Sequence, residues 1–352
     1  MQRPPYSEAY NLTLEHSFTN TTSFQIGYQG SVDRHLQMSY SANQYAGNRI
    51  QGANMQLLQP YFDLGTVEPI VNRGISSYNS LQAKVERKYA NGLGYLASYT
   101  WSHCLDDAFE PIGQSEQGGY RNPNFLGFKY DYGACTTDVR QRLSFSPQLE
   151  LPFGRGKKFL NRGGVVDAVV GGWKTSWIFQ AQSGNPIFLT ASNGTGGYPL
   201  RVSDPFGAGG TPDPATQPNF VCATKTHSLA SWFNPCAFKN PPRATLGDSN
   251  PASNLINYQS AGSIPYGPPG RVSVPGPGFN KVDLSLFKSF GIPWRESQIH
   301  LRADVFNLLN HPSFGYPSNG LQGNSAGQIT STRFSGESPD ARVAQFAVRY
   351  TF

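Results

Sequence analysis

The chain has few charged residues and no long hydrophobic run. Charged side chains make up 14% of its 352 residues, whereas aromatic side chains reach 13%. No window approaches the about 18 consecutive apolar residues of a membrane-spanning helix, so helical spans are excluded. A strand that faces lipid with every second residue can cross a bilayer and stay polar on average. The negative mean hydropathy is therefore compatible with a membrane wall built of strands.

Basic residues are in excess but do not cluster. The net charge is +6 and the isoelectric point is about 9.1, yet Lys and Arg are scattered along the chain. Nucleic-acid binding surfaces need a dense basic patch or stripe. The sequence therefore predicts no nucleic-acid partner.

Cysteine is scarce, and the four residues fall into two pairs, Cys104 with Cys135 and Cys222 with Cys236. Each pair brackets or lies in a stretch rich in Gly, Pro and Asn, which favours loop disulfides in an oxidising compartment. Zinc is the competing interpretation, but the CxxC spacing that is typical of zinc sites does not occur. We favour two disulfides over a metal site.

The N-terminus lacks the apolar segment of a signal peptide, since it begins Met1-Gln2-Arg3-Pro4-Pro5-Tyr6. A membrane wall outside the cytoplasm requires an export signal. We therefore expect the chain to be a fragment of a longer protein.

Nine stretches alternate apolar and polar residues, as strands do when their two faces meet different surroundings. Asn91-Gly92, between the third and fourth stretches, is the strongest short hairpin signal. The apolar positions, stretch by stretch, are Tyr10, Leu12, Leu14 and Phe18; Phe24, Ile26 and Tyr28; Leu81, Ala83, Val85 and Tyr89; Leu93, Tyr95, Ala97, Tyr99 and Trp101; Leu143, Phe145, Leu149 and Leu151; Trp173, Trp177 and Phe179; Val282, Leu284 and Leu286; Ile299, Leu301, Ala303 and Val305; and Phe346, Val348, Tyr350 and Phe352.

The links between these stretches alternate in length. Residues 19–21, 91–92, 153–171 and 291–295 form one set, and only 153–171 is longer than a tight turn. The other set comprises residues 42–74, 109–137, 188–278 and 311–340. Short periplasmic turns and long extracellular loops are typical of outer-membrane barrels. The sequence therefore predicts an all-β, antiparallel transmembrane β-barrel wall.

A soluble β-sandwich also gives alternating strands. It needs no such bias in link length, however, and its strands are usually shorter. The link 188–278 is too long for a compact domain and is predicted to be an exposed extracellular loop.

Short motifs over nearly the whole chain resemble the TonB-dependent receptors, within them the Oar-like group of soil bacteria. The motifs are Tyr10-Asn11-Leu12-Thr13-Leu14, Ile26-Gly27-Tyr28-Gln29-Gly30-Ser31, Tyr78-Asn79-Ser80-Leu81-Gln82, Tyr99-Thr100-Trp101-Ser102, Asp138-Val139-Arg140-Gln141-Arg142-Leu143, Leu151-Pro152-Phe153-Gly154-Arg155-Gly156, Gly171-Gly172-Trp173, residues 302–311 and Arg349-Tyr350-Thr351-Phe352.

The resemblance implies a barrel of about 22 strands that surrounds an N-terminal plug and takes up scarce nutrients with energy relayed by TonB. The nine strands would be the last nine of that barrel, so residues 1–352 would be its C-terminal part. We expect the plug and the signal peptide to be absent, and contact with the TonB system to require the plug. The ligand, whether siderophore, peptide or glycan, is unknown.

Motifs of catalysis are lacking, so the chain is predicted to be neither an enzyme nor a cofactor-binding protein. Gly154-Arg155-Gly156-Lys157-Lys158 lacks the spacing of a phosphate-binding loop and is predicted to be a solvated basic turn. Asp106, Asp107 and Glu110 form an acidic cluster. Calcium binding there is conceivable, but the ligands are too few and a solvated face is favoured.

Charged residues on the polar side of the strands are predicted to face a lumen. For Arg140, Arg142, Arg302 and Asp304 we favour structural pairing over contact with substrate. The predicted membrane-facing aromatics are Tyr95, Tyr99, Trp101, Phe145, Trp173, Trp177, Phe346 and Tyr350. Stacking on a sugar is the alternative for several of these rings.

Two further sets of residues carry predictions. Trp232 and Phe233, beside the Cys222 to Cys236 bracket, are candidates for ligand contact. The terminal alternation of Phe346, Val348, Tyr350 and Phe352 resembles the signal that the barrel-assembly machinery recognises. An outer-membrane surface protein of the adhesin type, an outer-membrane enzyme and a secreted soluble β-protein remain as alternatives to transport.

Overall fold

The computed structural model describes residues 3–40, 42–43, 61, 63–65, 67–107, 128–161, 163–189, 198–212, 220–239, 270–291, 297–321, 325–333 and 341–352. Nine long strands pair in one antiparallel sheet in the order in which they follow along the chain. They are β1 (Tyr6–Thr19), β2 (Thr22–Ser39), β3 (Ile70–Ala90), β4 (Leu93–Asp106), β6 (Gln141–Glu150), β7 (Lys174–Gln182), β12 (Phe279–Gly291), β13 (Gln298–Phe306) and β14 (Val343–Thr351).

The nine strands agree with the nine predicted stretches, and the all-β prediction is confirmed. The hairpin at Asn91-Gly92 shows why local sequence sets the register. Asn91 and Gly92 have φ values of 54° and 78°, and positive φ at both central residues is what a type I′ turn requires. This turn pairs Ala90 with Leu93, and a shift of one residue between Arg87 and Ala90 then sets the register of the remaining pairs, from Arg87 with Tyr95 onward. Among the described residues no pairing joins β1 to β14, so the sheet is open.

Cross-strand register places the apolar residues of all nine strands on one side of the sheet, here called the apolar face. One row runs through Leu14, Ile26, Ala83, Tyr99 and Leu143. A second row, in the last three strands of the sheet, pairs Leu286 with Ala303 and Ala303 with Phe346. Because a slip of one residue would turn a whole strand over, the matching of these rows specifies the register strongly.

The opposite side is the polar face. One of its rows runs from Gln25 through Lys84, Ser98 and Ser144 to Gln180. Each strand therefore has one apolar and one polar side along most of its length, as the alternation predicts.

The link between β6 and β7 is more than a turn. It contains a short helix, α1 (Val165–Val170), none of whose residues is buried. An isolated bridge pairs Phe153 with Phe159. Sequence reasoning missed this helix, because Gly163, Gly164, Gly171 and Gly172 around it signal turns. Within the described ranges, no helix is long and apolar enough to span a membrane.

The long links carry short strands and a core of their own. β5 (Gly133–Ala134) pairs with β4, β8 (Pro186–Phe188) pairs with β11 (Ser273–Pro275), and β9 (Leu200–Arg201) pairs with β10 (Phe238–Lys239). A cluster of buried side chains, here called the loop module, unites the β7–β12 link with the β13–β14 link. Its members are Ile187, Leu189, Phe220, Phe233, Cys236, Ala237, Phe238, Val274, Leu321 and Ala326. The described parts of 188–278 are therefore folded rather than simply exposed.

Candidate membrane face, polar face and loop module

Burial is inverted relative to a soluble β-sandwich. The largest fully buried hydrophobic side chains, Leu189, Tyr198, Phe233, Phe238, Val274 and Leu321, all lie outside the nine-stranded sheet. On the apolar face, by contrast, Leu12 is 67% exposed, Phe346 79% and Val348 72%. A sandwich buries such a face between two sheets. A sheet that instead exposes its apolar side is suited to hydrocarbon.

An aromatic ladder crosses the centre of the apolar face. Phe145 lies 6.2 Å from Tyr95 and 5.8 Å from Phe179 between ring centroids. Trp177 stacks on Phe179 at 5.7 Å, with the ring planes 6° apart. By register or strand parity, all the aromatics predicted to face the membrane lie on this side: Tyr95, Tyr99, Trp101, Phe145, Trp173, Trp177, Phe346 and Tyr350. Their contact with lipid stays a prediction.

The polar face holds its charges mainly in short-range pairs. Nε of Arg302 lies 2.9 Å from a carboxylate oxygen of Asp304, and that carboxylate also accepts a 2.6 Å hydrogen bond from the hydroxyl of Ser285. Arg140 pairs with Asp138 at 3.0 Å. Arg142 is exposed on the same face. The contacts of Arg140, Arg302 and Asp304 fit the structural pairing that the sequence favours. For Arg142 that pairing stays a prediction.

The acidic residues at the end of β4 are buried, so the prediction of a solvated acidic face is wrong for Asp106 and Asp107. Asp106 forms an ion pair with the buried guanidinium of Arg271, which also lies 5.2 Å from the ring of Phe188. A carboxylate oxygen of Asp107 accepts a 2.5 Å hydrogen bond from the backbone N–H of Ile75. Burial is the main cause that raises the pKa of Asp107 to about 6. Glu110 lies outside the described residues.

The cysteines are joined as two disulfides, Cys104 to Cys135 and Cys222 to Cys236, each with Cα atoms 5.3 Å apart. The first ties the end of β4 to the residue after β5, and the second closes part of the loop module. Cys104, Asp106 and Cys135 are near enough to one another to hold a metal ion. Because both sulfurs are in a disulfide, however, they offer no thiolate ligand.

The two aromatic residues proposed for ligand contact differ. Phe233 is fully buried in the loop module, at 0% exposure, and packs edge-on against Phe238 at 6.0 Å. Ligand contact is therefore wrong for Phe233: its ring fills the core that holds the module together. Trp232 is partly exposed, donates its indole N–H to the carbonyl of Pro275 at 2.8 Å and packs against His227 at 5.0 Å. Ligand contact stays a prediction for Trp232.

The terminal strand β14 lies at the edge of the described sheet. Phe346, Val348 and Tyr350 point to the apolar face, and Phe352, just beyond the strand, is 93% exposed. The hydroxyl of Tyr350 donates a 2.9 Å hydrogen bond to that of Ser297. Recognition of this strand by the assembly machinery stays a prediction.

A groove of about 420 Å³ at the long-loop end of the sheet was missed from the sequence. It is lined mainly by Tyr99, Gln141, Leu143, Ala181, Gln182, Ser183, Gly278, Phe279, Asn280 and His311. Ala181 and Asn280 continue the row of Tyr99 and Leu143 with a small and a polar side chain, and this change along the row was the available signal.

A match to a known protein family supports this arrangement. The sequence pattern of the outer membrane beta barrel domain family matches residues 1–345. None of the curated proteins matches the chain. Solved structures that resemble it include the outer membrane transporter YddB from Escherichia coli, at 10% identity and a TM-score of 0.45 over 98% of this chain.

Another is FpvA of P. aeruginosa, solved with a heterologous pyoverdine and iron, at 8% identity and a TM-score of 0.43 over 99% of this chain. The chain spans only 32% of the YddB chain and 27% of the FpvA chain. Because the family pattern covers almost every residue, the conclusion rests on it: this chain belongs to the outer membrane beta barrel domain family, and its place is the bacterial outer membrane.

Proposed function

We propose that the chain is part of a TonB-dependent receptor that takes up a ligand across the outer membrane. The observation that carries the proposal is the uncovered polar face. Gln148, Gln180 and Arg349 are exposed there, whereas the interior of a small closed barrel is filled by its own side chains. A polar surface of this kind suits a wide lumen that holds water, ligand or a plug domain.

The loop module adds a second argument. It lies at the long-link edge, which is the extracellular edge in outer-membrane barrels, and its own core holds exposed loop surface in a fixed shape. Receptors bind their ligands with loops positioned by a rigid scaffold. The proposed transport therefore begins at this surface, with Trp232 as a candidate contact, and depends on TonB acting through a plug.

A surface protein of the adhesin type is the second candidate, because a disulfide-closed module with a core also suits display to another cell. The two candidates differ in their need for energy. Uptake of radiolabelled ferric siderophores, oligopeptides and oligosaccharides by cells that make the intact protein would be compared with uptake by a host lacking TonB. Uptake that disappears without TonB supports transport. Adhesion to cells without uptake of any probe contradicts it.

A further inference from the structure

The link between β6 and β7 has a defined structure. Asp167 accepts a 2.7 Å hydrogen bond from the backbone N–H of Arg155, and Asn161 accepts one of 2.8 Å from that of Gly156. Phe159 donates its backbone N–H to the carbonyl of Pro152 at 3.0 Å. These bonds hold the two halves of the link together, so its surface is presented in one arrangement.

That surface is apolar where it is most exposed. Val165 is 80% exposed and Val169 62%. Phe153, Phe159, Leu160 and Val166 are exposed beside them. A helix of six residues is unstable alone in water, and α1 buries none of its side chains. Among the described residues nothing covers the apolar side of α1, so a further apolar surface is needed there.

Two contacts place α1 on the apolar side of the sheet. Lys288 shares that side with Leu286, and its ammonium donates to the carbonyls of Ala168 at 2.5 Å and Val169 at 3.2 Å. Trp173, also on that side, donates its indole N–H to the carbonyl of Val169 at 2.8 Å. The exposed valines are therefore continuous with the face that meets the membrane, at its short-turn, periplasmic end.

The charges of the link fit a lipid headgroup layer. The link carries Arg155, Lys157, Lys158 and Arg162 against a single Asp167. Lys157 is paired with Glu150 at 3.0 Å, whereas Arg155 and Lys158 are exposed. Short helices with an apolar side and flanking basic residues lie in the bilayer interface and are attracted to anionic lipids. Trp173 has the interfacial preference of an aromatic belt residue.

We propose that residues 153–171 are an interfacial anchor, seated in the phospholipid leaflet on the periplasmic side of the outer membrane. Val165 and Val169 enter the boundary between headgroups and acyl chains, and Arg155 and Lys158 contact anionic headgroup phosphates. The anchor holds the wall at a fixed depth in the bilayer, and Lys288 couples it to β12. This role is independent of which ligand the protein takes up.

The test uses the intact protein in nanodiscs of phosphatidylethanolamine and phosphatidylglycerol. Because the four cysteines of residues 1–352 are in disulfides, the Val165→Cys thiol can be spin-labelled selectively within this part of the protein. Leu229→Cys is the matched control, since Leu229 is 52% exposed on the long-link side. We expect the label at 165 to collide severalfold less with a water-soluble nickel complex, and more with oxygen, than the label at 229. Equal exposure to nickel at both sites overturns the proposal.

The second arm tests the charge. In the Arg155→Gln, Lys158→Gln double variant, the label at 165 should no longer move deeper when phosphatidylglycerol replaces phosphatidylcholine, whereas the unaltered link should show that shift. The Lys225→Gln, Lys239→Gln double variant, which removes two exposed charges of the β7–β12 link, serves as the charge-matched control. A link that inserts equally in both lipid mixtures contradicts the headgroup contact. A label shielded from nickel and oxygen alike indicates burial in protein and contradicts the lipid contact.

Discussion

The carboxylate of Asp138 accepts a 2.9 Å hydrogen bond from the backbone N–H of Cys104. Its second oxygen lies 3.0 Å from Arg140 and 3.1 Å from His103. The side chain of Asp138 is almost completely buried. One carboxylate therefore joins the end of β4 to the entry of β6, at the same place where the Cys104–Cys135 disulfide crosses.

Replacement of Asp138 by alanine is expected to destabilise this edge. Hydrogen bonds to charged groups contribute about 1.5–3 kcal/mol each, and the Cys104 N–H would lose its acceptor. We expect a loss of about 2–3 kcal/mol in the free energy of unfolding, measured by urea denaturation in lipid vesicles. Asp138→Asn, which keeps an acceptor oxygen, should lose less. Equal stability of the alanine variant and the native protein would sink this interpretation.

Asp107 predicts a pH dependence of stability. Burial first, and then the neighbouring Asp106, raises its pKa from 3.8 to about 6, against the opposing effects of the Ile75 N–H and Arg271. The folded protein therefore binds this proton more tightly than the unfolded chain does. The stabilisation that this proton contributes is fully present below pH 3.8 and is lost as pH rises from there through the folded-state pKa of about 6. In Asp107→Asn the midpoint of urea denaturation should depend less on pH across this window. If that pH dependence stays the same as in the native protein, another group causes it.

The sequence predicted the strands well because a barrel wall repeats one local rule. Alternation sets the faces, and Asn91-Gly92 sets a turn that only residues tolerant of positive φ can form. Nothing non-local was needed to place Phe145 or Leu284 on the apolar side.

The loop module could not be predicted in this way. Phe233 is buried because residues of two distant links, among them Leu189 and Leu321, meet around it. Asp106 is buried because Arg271, 165 residues later in the chain, reaches it. Such contacts depend on the path of long loops, which no local pattern encodes. From the sequence alone, an aromatic residue beside a disulfide, such as Phe233, could therefore equally be a core residue or a ligand contact.

Adjacent residues of β6 distinguish the two faces. Phe145 lies in the aromatic ladder of the apolar face, and Ser144 lies on the polar face opposite Ser98. A lysine on the lipid face near the bilayer centre costs about 2–4 kcal/mol, so Phe145→Lys should lower the free energy of unfolding by that amount. Ser144→Lys should change it little. Equal losses for the two variants would mean that the faces do not differ in solvent.

The Cys222–Cys236 bond should stabilise the loop module and leave the sheet unaffected. It closes a segment with a sequence separation of 14, and loops of about 15 residues gain about 3 kcal/mol from closure. In the Cys222→Ser, Cys236→Ser double variant, limited proteolysis should cut the loop module faster. The nine-stranded sheet should remain folded on heating in detergent, as in the native protein. Unchanged proteolysis would show that packing around Phe233 holds the module without the bond.

Lys288 is expected to stabilise the β6–β7 link more than its position on the apolar face suggests. It is 3% exposed, lies 4.8 Å from the ring of Phe290 and 5.4 Å from that of Trp173, and its ammonium bonds the last carbonyls of α1. A cation there offsets the helix dipole and satisfies carbonyls that have no partner within the helix.

Lys288→Met keeps most of the side-chain volume and removes the charge. It should therefore speed amide exchange throughout α1 and lower the free energy of unfolding by about 1–3 kcal/mol. Lys281 is a lysine on the polar face of the same strand and pairs with Asp283 at 3.7 Å. Lys281→Met should therefore leave α1 unaffected. Protection of α1 that is the same in both variants would show that Lys288 fills space without holding the helix.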